Sequence, residues 1–425
     1  MAQSPIQKRP FDLFVSYSHD DRKLVDPVVA WLKDRAGLKV WYDATSGDAA
    51  KRTTALLADA MQSARGSLFA LSSKWNSSTW CKDEHEIALT ERRKQDAYLL
   101  LALQVDSMEI PSWFTISNVI DFRRFDAESA AALLQSMAPD APSRYDNGQD
   151  VYFAGPWSRP GDAVRRTLSC LHEMGWRLVG DAPDNPHFQD ASLRIRSIIA
   201  TARGLVGLLP FDAGRPPSNT SPYIIEEVRI AQELGKPYLL LAEDNVQIPK
   251  ELSLAAFGGN RVRISNDEPD SSLRSALAEF DEELGRRPHS DARSYSFLAT
   301  SLRDDVRESD RLAAVLERAS NMACVRGVGL RGQHAQEEIV ERIRNAGFVV
   351  ADVTDDHRNS LIEAGVALGS GTPLHLLSGR PSDGSFKRRF MFEDREMNWY
   401  QNPVERLGSA FRIGRLYRRR ILTKQ

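Results

Sequence analysis

Residues 63–89 read SARGSLFALSSKWNSSTWCKDEHEIAL. The stretch changes character halfway along. GSLFALS, from Gly66, is a short apolar run of the kind that suits a strand covered on both faces. Ser77-Ser78-Thr79 then offers helix N-cap residues, and Glu84-His85-Glu86-Ile87-Ala88-Leu89 continues the helix they start. Strand, turn and helix in that order are the working part of a βαβ unit.

The same alternation recurs along the chain. FDLFVSY at Phe11, LKVWYD and AYLLLAL complete a first set of apolar runs. VYFAGP at Val151, GLVGLLP and PYLLLAE make a second; YSFLATS at Tyr295, GFVVADV and PLHLL make a third. Helical-period segments separate them. Two stretches rich in Pro, Gly, Ser, Asn, Asp and charge break the pattern, at Met137–Asp150 and Glu283–Ser294, as linkers do. They predict domains at 1–140, 150–285 and 293–425, each near the commonest domain size of roughly 135 residues. Each is expected to be an α/β unit of flavodoxin-like or Rossmann-like type, with a doubly wound parallel sheet. Ligands bind such sheets beyond the carboxyl ends of the strands.

Composition narrows the function classes. With 42% hydrophobic and 27% charged residues among 425, the chain has the profile of a soluble globular protein. No apolar window is long enough to span a membrane, and the opening MAQSPIQKRP lacks the apolar core of a signal peptide, so a cytoplasmic location is expected. A formal net charge of −2 provides no field to draw nucleic acid or anionic membrane. Cys81, Cys170 and Cys324 are isolated, which points to neither zinc nor a disulfide framework. His19 and His85 are single histidines and are expected at the surface, with no metal site. The tail holds Arg412, Arg415, Arg418, Arg419, Arg420 and Lys424 with no acidic residue after Glu405. Its two readings are a basic helix end and a phosphate-binding strip.

FDLFVSYSHDD (Phe11–Asp21), VWYDATSGD and the stretch from Ser63 to Leu89 together resemble the TIR (Toll/interleukin-1 receptor) domain family, over about Phe11 to Phe125. The stretch around Trp80-Cys81 matches the Ser-x-x-Trp-Cys-x-x-Glu run of catalytic TIR domains. The resemblance implies cleavage of NAD+ as substrate, with no separate cofactor and with Glu84 as the catalytic carboxylate. The chemistry is coherent. Breaking the nicotinamide–ribose bond passes through an oxocarbenium-like state that a carboxylate stabilises. Nicotinamide leaves neutral from a cationic ring, so no general acid is required. Glu84 is expected early in its helix, where the dipole favours the ionised form. Trp80 lies one turn before it on the same face, placed to stack on the base. The remaining substrate-binding candidates are Tyr17 and Ser18 at the first strand's end, with Asp43 and Ser46 in the BB loop. Glu86 is expected to be solvated. Many TIR domains are adaptors that only bind one another, and a non-catalytic scaffold is the competing reading. Such adaptors commonly lack this glutamate, and the BB loop here lacks the proline of many receptor types.

GFVVADVTDDHRNSLIEAGVALGSGTPLHLL in the third piece resembles the nucleoside 2-deoxyribosyltransferase-like family through Asp352, Asn359, Glu363, Gly365, Ala367, Gly369 and Pro373. The resemblance implies a ligand site at Asp352, Asn359 and Glu363, with Glu363 at the position of the sugar-capturing nucleophile. Thr372 stands where the family usually has lysine. The second piece fits less well. Glu227 falls at the matching distance before Lys236-Pro237, but Arg229 replaces a glycine and is expected to crowd it. Three such units in series resemble bacterial immune proteins. The implied function is NAD+ hydrolysis, or cyclisation to a cyclic ADP-ribose species, in anti-phage defence. The implied partners are neighbouring TIR domains and a nucleotide-like signal sensed by the later units. A deoxyribosyltransferase or hydrolase activity in the third unit, and plain oligomerisation scaffolds, are the alternatives there.

Overall fold

The computed structural model describes residues 9–42, 54–95, 98–114, 119–137, 150–156, 161–181, 191–249, 252, 261–264, 271–286, 295–301, 305–327, 335–380, 392 and 395–422. The first sheet holds β1 (Leu13–Ser16), β2 (Val40–Trp41), β3 (Gly66–Leu71), β4 (Leu99–Gln104) and β5 (Val119–Asp121). Its strands run parallel in the order β2-β1-β3-β4-β5. Around it pack α1 (Arg22–Asp34), α2 (Thr54–Gln62), α3 (Ser73–Ser77), α4 (Thr79–Lys94) and α5 (Ala127–Met137).

The second unit repeats the arrangement with β6 (Asp150–Ala154), β7 (Arg177–Asp181), β8 (Gly204–Leu209), β9 (Tyr238–Glu243) and β10 (Arg261–Ile264). Its helices are α6 (Asp162–Glu173), α7 (Ala191–Thr201), α8 (Pro222–Glu233) and α9 (Ser271–Arg286). The third has β11 (Tyr295–Ala299), β12 (Ala323–Arg326), β13 (Val349–Asp352), β14 (Leu374–Gly379) and β15 (Met397–Tyr400), with α10 (Val306–Ser320), α11 (Ala335–Asn345), α12 (Arg358–Gly369) and α13 (Pro403–Leu416). Counting strands within each unit, all three sheets share the flavodoxin order 2-1-3-4-5. The chain is therefore three consecutive α/β units of one kind. The fully buried strands β3, β6 and β8 are the apolar runs of the sequence. Such runs need cover on both faces, and the flanking helices supply it.

Two features join the units. The final strand, β16 (Arg419–Leu422), leaves the third unit and pairs antiparallel with β7 at the edge of the second sheet. Leu422 there is buried, and its carbonyl meets His172 Nε2 at 2.9 Å. Helix α13 packs between α10 and the first unit's α5 and α1. One apolar cluster consequently runs from Val28, Trp31, Leu133 and Leu134 through Leu312, Leu316 and Leu407 to Phe411. Two tail arginines are tied down inside the molecule, one within the third unit and one across the joint. Arg412 reaches Asn398 Oδ1 at 2.5 Å, and Arg415 pairs with Asp12 at 3.0 Å while 8% exposed. A basic helix end describes α13 better than a phosphate-binding strip does. Among the described residues no helix is long and apolar enough to cross a membrane.

Candidate active site

The strand β3 ends at Leu71, and Ser72 turns the chain by accepting the Trp75 amide at 2.9 Å. Ser78 then caps α4 by accepting the Cys81 amide at 3.3 Å. This is the capping expected of the Ser-Ser-Thr run, and it sets the phase of the helix. Cys81, Glu84, His85 and Ala88 form its buried stripe, at the spacing of one helical face.

Glu84 is the sixth residue of α4 and only 5% exposed. It lies one turn deeper than the expected position at the helix start, so the dipole acts on it more weakly. Cys81, on the same buried stripe, meets the carboxyl end of β1. The Cys81 thiol is pushed up to about 12 by burial, and the nearby carboxylates Glu84 and Asp21 add to the shift. Ser16 and Ser78 hydrogen-bond the same thiol. The Trp75 indole donates to Ser16 Oγ at 3.0 Å, and Ser72 Oγ donates to Asp21 Oδ2. Asp21 is 4% exposed and also pairs with Lys74 at 3.5 Å. Two carboxylates, Glu84 and Asp21, thus flank one buried cysteine at the ligand edge of the sheet. Asp21 was not singled out in the sequence. Its only signal was its place just after the first strand.

Trp80 is half-buried against the apolar cluster of Phe69, Trp75 and Cys81. Its indole nitrogen is buried and has no hydrogen-bond partner among the described residues. Tyr17 follows Ser16 on the extended end of β1, so the two side chains take opposite faces of the sheet. Ser16 faces Trp75; Tyr17 faces α1 and stacks on Tyr42 at 4.9 Å. Ser18 is partly exposed and caps the short 3-10 turn His19–Asp21 through its carbonyl, which accepts the Asp21 amide at 2.8 Å. Asp43 and Ser46 lie outside the described residues. Glu86 and His19 are exposed as expected.

His85 is not a surface residue. It is 2% exposed, stacked on Phe114 at 4.7 Å and edge-on to Phe69, Trp75 and Trp113. Helix phase explains this: His85 follows Cys81 by four residues and shares its inward face. Burial lowers its pKa.

In the third unit, Asp352 ends β13 and both its oxygens are engaged. Thr354 Oγ1 donates to Oδ1 at 2.6 Å, Tyr400 donates to Oδ2 at 2.9 Å, and Arg406 Nε lies 2.7 Å from Oδ2. Asn359 is exposed in the first turn of α12. Glu363 is the sixth residue of α12 and leans over Gly327 at the end of β12, where an added Cβ would lie 3.1 Å from Oε1. Burial pushes its carboxyl up to about 7.

Glu227 is the sixth residue of α8. It accepts the Tyr152 hydroxyl at 2.9 Å. Arg229 does not crowd it but turns outward to Glu226 at 2.7 Å, both side chains being exposed. Glu84, Glu227 and Glu363 therefore occupy one position, the sixth residue of the long helix between the third and fourth strands of each unit. Their surroundings differ: a thiol and serines near Glu84, a phenol on Glu227, and Gly327 beside a partly buried Glu363. Among the described residues no cluster of His, Cys, Asp and Glu is arranged to hold a metal, and all three cysteines are free thiols.

The family model for the TIR domain matches residues 13–135. That span takes in all five strands of the first sheet, and the first unit is a TIR domain. Among solved structures, the TIR domain of the Toll-related receptor TRR-2 from the lower metazoan Hydra magnipapillata is similar at 18% identity. The likeness covers 27% of this chain and 85% of that one, with a TM-score of 0.23; at that level it carries no weight for function. No curated protein matches the chain.

Proposed function

We propose that the first unit cleaves the nicotinamide–ribose bond of NAD+, with Glu84 as the carboxylate that stabilises the ribosyl cation. The observation that supports this most is the placement of Glu84 with Trp80 one turn before it. Both lie on α4, the long helix between β3 and β4 of a TIR sheet. In a site this shielded from water a carboxylate interacts strongly with a developing positive charge. Water or the adenine base then intercepts the cation, giving hydrolysis or cyclisation. NAD+ is the substrate and no further cofactor enters. Self-association of TIR units, control by a nucleotide-like signal at the later units and a role in bacterial anti-phage defence complete the reading.

The 5% exposure of Glu84 favours a second reading, in which the carboxylate is internal packing and the unit is a TIR scaffold. Glu84→Gln separates the two, because it keeps size and removes charge. Under the first reading, nicotinamide release from NAD+ falls by about a thousandfold while far-ultraviolet dichroism and melting stay as in the parent. Release that persists in a concentration-matched assay of the variant, or that the parent itself lacks, overturns it.

A further inference from the structure

Helix α13 is gripped from two sides. On the third unit's side, Arg406 projects back to the carboxyl edge of the sheet and meets Asp352 at 2.7 Å, with both side chains buried. The Tyr400 ring lies 5.7 Å beneath the guanidinium, and Glu308 is 3.8 Å away. On the TIR side, the Trp31 indole donates to the Val404 carbonyl at 2.9 Å. Arg35 donates to the Trp399 carbonyl at 2.9 Å and pairs with Glu405 at 2.9 Å. Trp31 belongs to α1, and Arg35 is the residue that ends it. Helix α1 also carries Asp26, which accepts the Tyr42 hydroxyl, and Lys33, whose ammonium stands 5.7 Å over the Tyr42 ring. Tyr42 stacks on Tyr17, and Asp43 follows it directly in sequence.

We infer that Arg406 is a positioning residue: its buried pair with Asp352 ties the ligand edge of the third sheet, through α13 and α1, to the Tyr17–Tyr42 wall of the TIR unit. The effect on turnover rests on the NAD-cleavage reading; the mechanical tie does not. A buried ion pair is a poor device for stability, since desolvation offsets much of its attraction and well-packed apolar side chains do as well. What this pair supplies is a connection that is either made or broken at the sheet edge where a ligand would compete for Asp352 and Tyr400. Packed helices respond to such a change by moving between discrete arrangements. The helix faces at this joint are built for close contact. At Gly408 of α13 an added Cβ would meet Trp31 Nε1 at 2.7 Å and Arg35 Cβ at 2.8 Å, so only glycine lets α1 approach so near.

The full-length chain tests the tie in three variants, followed by hydrogen exchange and by steady-state release of nicotinamide. Arg406→Met cuts the pair, and Arg406→Lys retains a cation. Gly408→Ala wedges α1 from α13 without touching Asp352. In Arg406→Met and Gly408→Ala, exchange in α1 and in Val40–Trp41 should quicken by about tenfold or more, with β8 and β9 unchanged. The KM for NAD+ should shift by about fivefold or more, within the usual range of coupling between sites, while kcat moves little. Arg406→Lys should restore most of both. Faster exchange confined to α13, with α1 and β2 as in the parent, overturns the inference and leaves Arg406 a local packing residue. If Arg406→Met loses protection in β13 and β14 it has not folded, and Gly408→Ala decides. If the parent releases no nicotinamide, the NAD-cleavage reading fails while the exchange result still decides the tie.

Discussion

Burial pushes the Glu363 carboxyl up to about 7, and no neighbouring charge contributes. Glu227, at the equivalent step of the second unit, instead receives the Tyr152 hydroxyl. The residue two before the end of the first strand is Tyr152 in one unit and Phe297 in the other, which accounts for much of the contrast. The pH dependence follows from the sign of the shift. A glutamate raised in the folded state favours folding below its unfolded pKa, and that contribution is lost as pH rises through about 7. Glu363→Gln should therefore stabilise the protein at pH 8 by about 1–3 kcal/mol and be near neutral at pH 4. Urea titrations at the two values check this, and equal effects at both contradict a carboxyl raised by burial at Glu363. His85 has the opposite sign. Its pKa is lowered by burial, so its contribution is present above the unfolded value near 6.5 and fades as pH falls below it. His85→Phe, which suits the ring box, should flatten stability between pH 7 and 5. A variant as acid-sensitive as the parent would assign that loss to other groups.

Helix α4 shows how far local pattern carries. Its cap was legible because Ser-Ser-Thr before a helical run has one common use, and Ser78 fulfils it. Ser78→Ala should cost about 1 kcal/mol and lower the thermal midpoint without changing the sheet; a loss near zero would mean the Trp75 turn alone sets the helix start. The three-unit division into strands and helices was legible for the same reason, since runs such as GSLFALS and GLVGLLP have few other homes. The inward turn of His85 was readable from its four-residue spacing to Cys81, but a histidine's polarity argued for the surface. The place of Asp21 just after the first strand did not mark it as a buried carboxylate, and nothing local marked Arg406 as the partner of Asp352. Asp21 meets Ser72 and Arg406 meets Asp352 across 51 and 54 positions, and single-sequence periodicity holds no information at that range. Nor did the basic tail announce a strand that crosses to another unit's sheet. Its arginines fit a solvated helix end until their partners, Asn398 and Asp12, come into view.

The chain is three units by topology but not three independent cores. The second unit has its own two apolar clusters, one on each face of its sheet, and among the described residues the only distant buried one in either is Leu422. The TIR unit and the third unit each keep one cluster of their own, around Phe69 and around Val349, and share another that includes Leu133 and Leu134 of α5, Leu312 and Leu316 of α10, and Phe411 of α13. Cooperative unfolding follows shared packing rather than sequence boundaries. Two transitions are expected in calorimetry, one for the second unit and one for the other two together. Phe411 is 3% exposed, and truncating a buried phenylalanine costs about 3–5 kcal/mol. Phe411→Ala lies in the third unit, yet it should lower the transition in which β1, β3 and β4 of the TIR unit lose their exchange protection. The second unit's transition should stay in place. A fragment of residues 1–140 should likewise melt well below the TIR unit in the full chain, because it exposes the α1 and α5 face that α10 and α13 cover. Three separate transitions would refute the shared core. So would a TIR unit whose stability is untouched by Phe411→Ala while the third unit's falls, and either result would also remove the path along which the later units are inferred to act on the first.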